Sequence, residues 1–509
     1  MMAQRIDTRS LLLGDLLERL VDVGDYGRLL IDGISLDSRD VQPGGLFMAV
    51  PGQSSHGMDH LAQALSLGAV AILAEPDDRW GRARLAEAAG RLKVPLFLLS
   101  GLREKAGVVA ARFFGHPGQV VRVVGVTGTN GKTSVCHFLA HALAQRVPSG
   151  LLGTLGNGRL GDLRPATHTT PDAVEVQAEL ARQAGMGVKA VAMEVSSHAL
   201  DQGRVSGVPF HTAVFTNLTH DHLDYHGSME AYAEAKARLF RRQGLMNAVI
   251  NVDDPFGARL LHEIGARVNV VACSMQGPSP LVADRFVQAQ RVEPGVDGLR
   301  ITFDSSWGAG EIQARVLGRF NAHNLLLTLA VLLAWDMPLG PALQALQELQ
   351  PVPGRMNLLG GSGQPRVVVD YAHTPDALAQ VISSLREHVR GQLTVVFGCG
   401  GERDRDKRPR MGALAQRLAD RVILTDDNPR GEDAATIVAQ ILGGMPDPEA
   451  VTVERDRARA IAHVVREAGP DDLVLIAGKG HETYQLVGSL KLPFSDSEHA
   501  LRALRERAA

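Results

Sequence analysis

Cysteine is scarce in this sequence, and long apolar runs are missing. The 509 residues include three cysteines, at positions 136, 273 and 399, without the paired spacing of a metal site or a disulfide scaffold. No run of about 18 or more apolar residues occurs, and the apolar run near the N-terminus is too short for a signal peptide. We therefore expect a cytoplasmic protein that is not embedded in a membrane.

An excess of charge of either sign is also missing. Lys plus Arg number 53 and Asp plus Glu number 56, which gives a formal net charge of −3. Because no basic field covers the chain, nucleic acid is not an expected partner. Hydrophobic residues make up 45% of the sequence, which is ample for globular cores. The length predicts roughly three domains.

The pattern around which the rest is organised runs from Val121 to Ser134 and reads VRVVGVTGTNGKTS. Its apolar, β-branched start predicts a strand buried on both faces, and the residues after Ser134 have helical spacing. Glycines between strand and helix let backbone N–H groups surround an anion, and the helix N-terminus adds its positive dipole end. Lys132 would then reach the β- and γ-phosphates of a nucleotide, and Thr133 would hold magnesium.

This loop departs from the common pattern G-x-x-x-x-G-K-[ST], because Val126 stands where that pattern has its first glycine. The alternative is an ordinary glycine-rich turn between a strand and a helix. The Lys-Thr pair and the strand–loop–helix context favour the phosphate site.

Polar residues that suit metal binding follow two further predicted strands. VKAVAMEV reaches Glu194 at its strand end, where an acid beside a phosphate loop would hold a metal; the alternative is a half-buried carboxylate paired with an arginine. Three histidines and two aspartates lie between residues 220 and 226, and they suit either a transition metal or a single-histidine magnesium–nucleotide site. The next helix carries Tyr232 and Lys236 on one face. From spacing alone, a solvated lysine is expected there.

Segments rich in glycine and proline divide the chain into three domains, 1–118, 119–352 and 353–509. The third repeats the order strand, polar turn, helix. Its polar clusters follow predicted strands, where open parallel sheets bind ligands. We expect one crevice to be lined by Asp370, Arg403, Asp427 to Arg430 and Gly478 to Glu482.

Three local expectations complete the analysis of the residues. LLLGDLLERL (11–20) predicts a helix, and LRPATHTTPD (163–172) predicts an exposed loop. In GRFNAHN (318–324), Asn321 and Asn324 would lie in the first turn of a helix, where N-capping explains one of them.

Taken together, these motifs resemble the Mur ligases, the ATP-dependent amide-forming enzymes that build the peptidoglycan stem peptide. The likeness extends over nearly the whole chain. The implied fold is α/β with three domains: a UDP-substrate domain, a central P-loop mononucleotide-binding domain and a C-terminal Rossmann-like domain that binds an amino acid. The likeness rests on GTNGKT (128–133), EVSSHAL (194–200), NLTHDHLDYHG with AKARLF after it, GRFNAHN (318–324), PGRM (353–356), DYAHTPDAL (370–378), DDNPR (426–430) and AGKGHE (477–482).

The resemblance implies ATP and Mg²⁺ as cofactors. Thr133 and Glu194 would hold one magnesium ion, and His222 with a carbamylated Lys236 would hold a second. The catalytic set it implies is Lys132, Glu194, His222, Lys236 and Asp370. The residues implied to contact the nucleotide are Gly128, Thr129, Asn130, Gly131, Lys132, Thr133, Ser134, Asn321, Asn324, Arg355 and Asp370.

The resemblance is greatest to the members that add meso-2,6-diaminopimelate to UDP-N-acetylmuramoyl-L-alanyl-D-glutamate, so we expect small-molecule substrates and a monomer. A guanidinium would clamp the distal carboxylate of the amino acid, and an acidic group would take its ammonium. Contacts to the UDP-sugar-dipeptide would come from Ser38, Thr169, Thr170, Ser196, Gln202 and Arg204. Contacts to the amino acid would come from Arg403, Asp427, Asn428, Pro429, Arg430, Gly478 and Glu482.

Three alternatives stay open. The chain could be the lysine-adding ligase of the same family, and the turn Asp427 to Arg430 argues against that. It could be a folylpolyglutamate synthetase, which lacks the dedicated first domain. It could also be a catalytically silent nucleotide-binding regulator, although the implied catalytic residues are all present.

Overall fold

The chain divides into two compact units. The first consists of residues 1–272 with 283–285, and the second of residues 273–282 with 286–509. The three predicted domains stay a prediction. The computed structural model describes residues 10–52, 54–264, 268–276, 283, 285–296, 298–361 and 363–508.

Strands of the first unit form two main sheets. In the smaller, parallel sheet the order is β3-β4-β5-β6, and in the larger sheet it is β10-β9-β8-β11-β7-β12-β13-β14. The strands are β1 (Leu11–Leu12), β2 (Leu30–Ile31), β3 (Gly33–Ser35), β4 (Gly45–Ala49), β5 (Ala69–Ala74), β6 (Leu96–Leu98), β7 (Arg122–Thr127), β8 (Ser149–Gly153), β9 (Gly156–Arg159), β10 (Asp162–Arg164), β11 (Ala190–Glu194), β12 (Phe210–Phe215), β13 (Asn247–Asn251) and β14 (Asn269–Ser274).

Most helices of this unit lie in the chain between successive parallel strands. The helices are α1 (Leu13–Leu16), α2 (Leu61–Ser66), α3 (Arg82–Arg91), α4 (Leu102–Phe113), α5 (Lys132–Ala144), α6 (Ala173–Gly185), α7 (Ser197–Asp201), α8 (Leu223–His226), α9 (Met229–Ala237) and α10 (Pro255–Glu263), with 3₁₀ turns at Gly24–Arg28, Gly57–His60 and Pro117–Gln119.

The strand that leads into the glycine loop is central in the larger sheet. β7 pairs in parallel with β11 on one side and with β12 on the other. Val123, Val124 and Val126 have no exposed surface, as expected for a strand covered on both faces. The predicted strand, loop and helix at 121–146 are therefore confirmed.

Two local expectations fail in this unit. The predicted helix at 11–20 is reduced to α1, because Leu11 and Leu12 pair as a strand with Ile31 and Leu30. The predicted loop at 163–172 is not fully exposed either, since it begins in β10 and buries Thr170. In both places pairing with another strand decides the local structure: β1 pairs with β2, and β10 pairs with the neighbouring β9.

The second unit contains three antiparallel strands in the order β15-β16-β17. It also contains a mainly parallel sheet of order β18-β19-β23-β20-β21-β22 and a separate hairpin of β24 and β25. The strands are β15 (Arg285–Gly295), β16 (Gly298–Ser305), β17 (Gly310–Ala314), β18 (Asn357–Gly360), β19 (Arg366–Asp370), β20 (Leu393–Phe397), β21 (Arg421–Leu424), β22 (Thr452–Val453), β23 (Leu473–Ala477), β24 (Tyr484–Val487) and β25 (Leu490–Pro493).

Helices cover both faces of the parallel sheet, whose two sides carry separate apolar clusters. The helices of the second unit are α11 (Phe320–Ala334), α12 (Leu339–Gln347), α13 (Pro375–Arg386), α14 (Lys407–Leu418), α15 (Ala434–Leu442), α16 (Arg457–Glu467) and α17 (Asp496–Ala508), with a 3₁₀ turn at Pro448–Ala450. Within the ranges given above, no helix is long and apolar enough to cross a membrane.

All three cysteines are buried. Burial raises the pKa of the Cys136 thiol well above its ordinary value and that of Cys399 to about 12. The Cys136 and Cys399 thiols therefore stay protonated and are poor nucleophiles in the folded protein.

Helix α4 makes a very close backbone contact with the turn at 203–207. A Cβ added to Gly107 would lie 1.8 Å from the carbonyl oxygen of Ser206, and one added to Gly207 would lie 2.3 Å from the carbonyl oxygen of Gly107. Backbone atoms cannot move aside as a flexible side chain does. A side chain at Gly107 would therefore force helix and turn apart.

We predict that Gly107→Ala lowers the stability of the protein, although alanine is the better helix former. Overpacking should cost about 1–3 kcal/mol. The control is Gly90→Ala in α3, where an added Cβ meets nothing within 4 Å; that change should leave stability unchanged or raise it by up to about 1 kcal/mol. Thermal unfolding of both variants measures this, and an equally stable Gly107→Ala protein would contradict the packing argument.

Candidate functional site

The loop between β7 and α5 is built to surround an anion. Gly128 and Gly131 have φ angles of +148° and +85°, which glycine adopts without steric cost. A Cβ on Gly128 would lie 1.9 Å from the Thr216 hydroxyl oxygen. The ammonium of Lys132 donates to the carbonyl oxygens of Gly128 and Thr129, at 2.9 and 2.8 Å. The lysine thus lies across the loop at the start of α5.

Glu194 ends the neighbouring strand β11 and is fully buried, not half-buried. Its Oε2 accepts a hydrogen bond from the Thr133 hydroxyl at 2.8 Å. Its Oε1 accepts one from the backbone N–H of Thr154 at 2.8 Å. The structure therefore brings together the threonine and the carboxylate that were both predicted to hold metal.

The segment after β12 braces the phosphate loop from its other side. The side-chain oxygen of Asn217 accepts from the backbone N–H of Asn130 at 2.9 Å, and its carbonyl oxygen accepts from the N–H of Thr129 at 2.8 Å. The Thr129 hydroxyl donates to the carbonyl oxygen of Thr219 at 3.2 Å. The loop conformation is thus held by a strand end distant in the sequence.

Lys236 is buried, so the expectation of a solvated lysine is wrong. Its ammonium nitrogen lies 2.9 Å from the carbonyl oxygen of Gly128 and 4.2 Å from the centre of the Tyr232 ring. Burial, with repulsion from Lys132 as the second cause, lowers the pKa of Lys236 well below its ordinary value, and Asp221 opposes this. The neutral amine is therefore favoured at this position.

His222 also lies near the Tyr232 ring. Its backbone has a φ angle of +52°, and its ring centre lies 6.0 Å from that of Tyr232 and 4.8 Å from that of His198. Burial and the neighbouring histidines lower the pKa of His198. Across the residues that the structure describes, no group of three or more His, Cys, Asp or Glu side chains is arranged to hold a metal ion. The choice between a transition-metal site and a single-histidine magnesium site at 220–226 stays a prediction.

Four of the predicted substrate residues form one hydrogen-bonded network. The Thr170 hydroxyl donates to the Glu194 carbonyl oxygen at 2.8 Å and accepts from the Ser196 backbone N–H at 3.1 Å. Arg204 donates to the Thr170 carbonyl oxygen at 2.9 Å and, through Nε, to the Gln202 side-chain oxygen at 2.9 Å. The network therefore adjoins the backbone of Glu194, whose side chain lies beside the phosphate loop.

Two other predicted substrate residues have different surroundings. The Thr169 hydroxyl accepts from that of Thr154 at 3.1 Å, which connects it to the environment of Glu194. Ser38 is buried, and its hydroxyl donates to the Gln63 side-chain oxygen at 2.8 Å. Among the described residues, no hydrogen bond joins Ser38 directly to the network around Thr170.

In the second unit, the polar clusters do gather at the carboxyl edge of one sheet. β19, β23, β20 and β21 are adjacent and parallel. Asn428 donates to Oε2 of Glu482 at 2.9 Å, and the fully buried Lys479 donates to that oxygen and to the Asn428 side-chain oxygen, each at 2.9 Å. Residues from two strand ends thus form one charged cluster, as predicted.

Arg430 lies in the same cluster of loops with a φ angle of +51°. Its guanidinium donates to the carbonyl oxygen of Gly401 at 2.8 Å. Among the described residues, no carboxylate lies within ion-pair distance of Arg430, since Glu432 binds Arg408 and Asp433 caps α15. The guanidinium is therefore not taken up by a neighbouring acid.

The other residues of the predicted amino-acid set lie in loops of the same unit. Pro429 precedes Arg430, and Arg403 is exposed on the loop after β20. Asp427 is buried, and burial raises the pKa of its carboxyl group. A Cβ on Gly478, whose φ is +114°, would lie 2.6 Å from Asp427 Oδ2. Gly478 and Asp427 therefore lie in direct contact.

Asp370 ends β19 and is buried, which raises the pKa of its carboxyl group. Its two oxygens accept from the backbone N–H groups of Met356 and Ala372, both at 2.8 Å. The guanidinium of Arg355 lies 5.1 Å from the ring centre of Tyr371. Asp370 therefore fixes the turn that carries Arg355.

Asn321 and Asn324 do not cap α11, contrary to the capping explanation. The residue preceding the helix makes no side-chain cap. Both asparagines are buried; Asn321 donates to the carbonyl oxygen of Leu317, and Asn324 donates to the Asn321 side-chain oxygen, each at 2.7 Å. Ser134 is also buried, at the start of α5.

Sequence reasoning missed several residues at these sites: Thr154, Asn217 and Arg408. Asn217 could have been found, because it follows a strand next to the phosphate-loop strand. Thr154 and Arg408 carry no comparable signal, since their partners lie far away in the sequence.

Comparison with known proteins gives consistent matches along the chain. The model of the Mur ligase middle domain matches residues 126–332, that of the Mur ligase glutamate ligase domain matches residues 354–480, and that of the Mur ligase family catalytic domain matches residues 30–98.

Curated relatives are similar over nearly their full lengths. The UDP-N-acetylmuramoyl-L-alanyl-D-glutamate–2,6-diaminopimelate ligase of Xylella fastidiosa is 50% identical over 500 residues, covering 97% of this chain and 98% of the relative. The enzyme of the same name from Alkalilimnicola ehrlichii is 48% identical over 503 residues, covering 97% and 99%. A solved structure with that name is 34% identical, with a TM-score of 0.74 and coverage of 98% and 100%.

Proposed function

The chain belongs to the Mur ligase family, and from that premise we propose that it is the ATP-dependent ligase that joins meso-2,6-diaminopimelate to UDP-N-acetylmuramoyl-L-alanyl-D-glutamate. This proposal rests on curated enzymes of that name, which are 48% and 50% identical in sequence to this chain over nearly their full lengths. The resemblance expected from the motifs, the α/β fold and the amide-forming activity are thereby confirmed.

The reaction proceeds in two steps. An oxygen of the substrate carboxylate attacks the γ-phosphorus of ATP, and the bond between that phosphorus and the β–γ bridging oxygen breaks. ADP departs, and the substrate is left as an acyl phosphate. The amine of the amino acid then attacks the acyl carbon, loses a proton, and displaces phosphate. Both steps depend on positioning and on positive charge near the phosphates, which the loop N–H groups and Lys132 supply.

The donors around Glu194 fit magnesium. The hydroxyl oxygen of Thr133 and Oε2 of Glu194 are hard oxygen donors 2.8 Å apart, which is the ligand type that Mg²⁺ prefers. When bound there, the ion neutralises charge on the nucleotide phosphates. We assign a second ion to His222 and to Lys236 in its carbamylated form.

Nucleotide contacts are assigned to the phosphate loop, Gly128 to Ser134, and to Asn321, Asn324, Arg355 and Asp370. The network of Thr170, Ser196, Gln202 and Arg204, with Thr169 beside it, is assigned to the sugar-dipeptide. Its closeness to Glu194 supports this, because the reacting carboxylate has to lie near the γ-phosphate. Ser38 is assigned to the uridine end, and its separation from the network suits a long substrate.

Two groups of opposite charge suit the distal end of diaminopimelate. Arg430 offers a guanidinium without an acidic partner among the described residues, which suits a carboxylate. Glu482 binds Asn428 and Lys479 through Oε2, so its Oε1 is the oxygen assigned to the ammonium. Arg403, Asp427, Pro429 and Gly478 complete the assigned set.

Lysine lacks the distal carboxylate, so the lysine-adding alternative would leave Arg430 desolvated without a partner. A folylpolyglutamate synthetase is disfavoured, because the curated diaminopimelate ligases match nearly the whole chain. A silent regulator is disfavoured by the hydrogen-bonded pair of Thr133 and Glu194 and by the position of Lys132.

We predict a strong preference for meso-diaminopimelate, with kcat/KM roughly 10² to 10⁴ higher than for lysine, since a desolvated guanidinium without its partner costs a few kcal/mol. Arg430→Ala should lose most activity with diaminopimelate without gaining efficient use of lysine. The assay combines ATP, the UDP-muramoyl-dipeptide and a panel of amino acids, with products identified by mass spectrometry. Arg410→Ala, an exposed arginine of α14, is the control. Equal kcat/KM for the two amino acids in the unmodified protein would contradict the proposal.

Lys132→Ala should abolish turnover while the protein stays folded. A charge aimed at the transferred phosphate is worth on the order of 10³ in rate. The two carbonyl oxygens that Lys132 binds lie on a loop, so loss of these hydrogen bonds should leave the fold intact. Steady-state phosphate release measures the loss, circular dichroism checks the fold, and the exposed Lys189→Ala is the control. Near-normal turnover in folded Lys132→Ala would remove the phosphate assignment.

Lys236 should carry a carbamate. Its lowered pKa favours the neutral amine, which attacks the carbon of CO₂, forms an N–C bond and releases a proton. Native mass spectrometry should show about 44 Da added to the protein, mapped to Lys236, and absent from Lys236→Ala. That variant should be inactive and partly rescued by a small carboxylate. A fully active protein with unmodified Lys236 would exclude this role.

A further inference from the structure

Arg408, the second residue of α14, is a fully buried arginine whose partners lie on several segments. Its Nη1 and Nη2 donate to the two carboxylate oxygens of Glu432, at 2.9 and 3.0 Å. Nη2 also donates to the carbonyl oxygen of Gly400 at 3.1 Å, and Nη1 to the Gln440 side chain at 2.6 Å. A buried guanidinium is tolerated only with such pairing.

Glu432 extends this contact to the loop after β20. Its Oε1 also accepts a hydrogen bond from the backbone N–H of Glu402. The guanidinium of Arg408, followed by this N–H, lowers the pKa of Glu432 to about 2. The carboxylate is therefore ionised at neutral pH. Glu432 belongs to the loop after β21 and binds the loop after β20, so it connects the two loops.

The two loops meet backbone against backbone. The N–H of Gly401 donates to the carbonyl oxygen of Asn428 at 2.9 Å. A Cβ on Gly401 would lie 1.9 Å from the carbonyl oxygen of Pro429. Glu402 and Arg430 both have positive φ angles, +54° and +51°. Such conformations persist only where the surroundings hold them.

Gly401 is the element that links Arg408 to Arg430. Its carbonyl oxygen accepts the hydrogen bond from the Arg430 guanidinium. The residues on either side of it, Gly400 and Glu402, are the two that Arg408 and Glu432 hold. Any shift of this three-residue segment therefore moves the acceptor that orients Arg430.

We propose that Arg408 and Glu432 are positioning residues that set the orientation of the Arg430 guanidinium and, through it, the affinity for the distal carboxylate of the amino-acid substrate. Neither residue is assigned a contact with the substrate. Bidentate recognition tolerates displacements of only about 0.5 Å, so loosening the segment 400–402 weakens binding. This inference rests on the function proposed above.

The test compares Arg408→Lys and Glu432→Gln with the unmodified protein. Lysine keeps the charge but cannot bind Glu432 and Gly400 in the forked geometry. We expect KM for meso-diaminopimelate to rise roughly 10- to 100-fold, since small misplacements carry costs of that size. KM for ATP and for the UDP-muramoyl-dipeptide should change by no more than about twofold, as for independent sites.

The matched control is Arg182→Lys in α6. Arg182 also binds a carboxylate with two nitrogens, that of Glu179, and a backbone carbonyl oxygen, that of Asn157. Both side chains of that pair are nearly buried. This variant should be less stable, with KM for diaminopimelate unchanged.

Non-additivity gives a second readout. Because Arg408 and Glu432 act through the same bonds, the double variant should raise KM for diaminopimelate about as much as the larger single change. Glu432→Asp, which keeps the charge, should recover part of the affinity that Glu432→Gln loses.

A purely structural role predicts lower thermal stability or lower kcat with an unchanged KM for diaminopimelate, and that result overturns the inference. An equal rise in all three KM values does so too, as does failure of both single variants to fold. If the unmodified protein does not ligate diaminopimelate, the proposed function itself fails. If the unmodified protein ligates diaminopimelate and the variants keep its KM for this substrate, only the positioning inference fails.

Discussion

Glu194, Lys236 and Lys479 are ionisable groups with almost no exposed surface, and the arrangement of the sites follows from what each must do to avoid an unpaired buried charge. Glu194 is surrounded by hydroxyl and amide donors, and Lys479 binds a carboxylate. Lys236 lies against a carbonyl oxygen and an aromatic ring, so burial shifts it toward the neutral amine. These partners come from neighbouring strand ends, so the sheets have to form before the sites exist.

The sequence was sufficient for the parts of the molecule whose signal is local. β7, the loop and α5 follow from a β-branched run, glycines and helical spacing, and the gathering of Asn428 and Glu482 follows from parallel strands sharing a carboxyl edge. It failed where partners are distant. Leu11 and Leu12 join a strand formed by residues 30 and 31, and Asn321 binds a carbonyl oxygen instead of capping its helix.

Around the proposed amino-acid site, glycines allow close contact between loops. Side chains at Gly401 and Gly478 would meet Pro429 and Asp427 at 1.9 and 2.6 Å, so the loops that carry the charged groups touch directly. Loops packed in this way resist small displacements. Under the proposed function, selectivity between two amino acids that differ by one carboxylate depends on this resistance. A mobile guanidinium would bind water as readily as the substrate carboxylate.

Two buried thiols can serve as natural probes of local unfolding in the two units. Cys136 lies in the first unit and Cys399 in the second, and their raised pKa values keep them unreactive while the surrounding core is closed. An alkylating reagent therefore reaches each thiol only when its unit unfolds locally. The rate of labelling at each position reports the opening of one unit independently of the other, with and without bound nucleotide, and no residue has to be introduced.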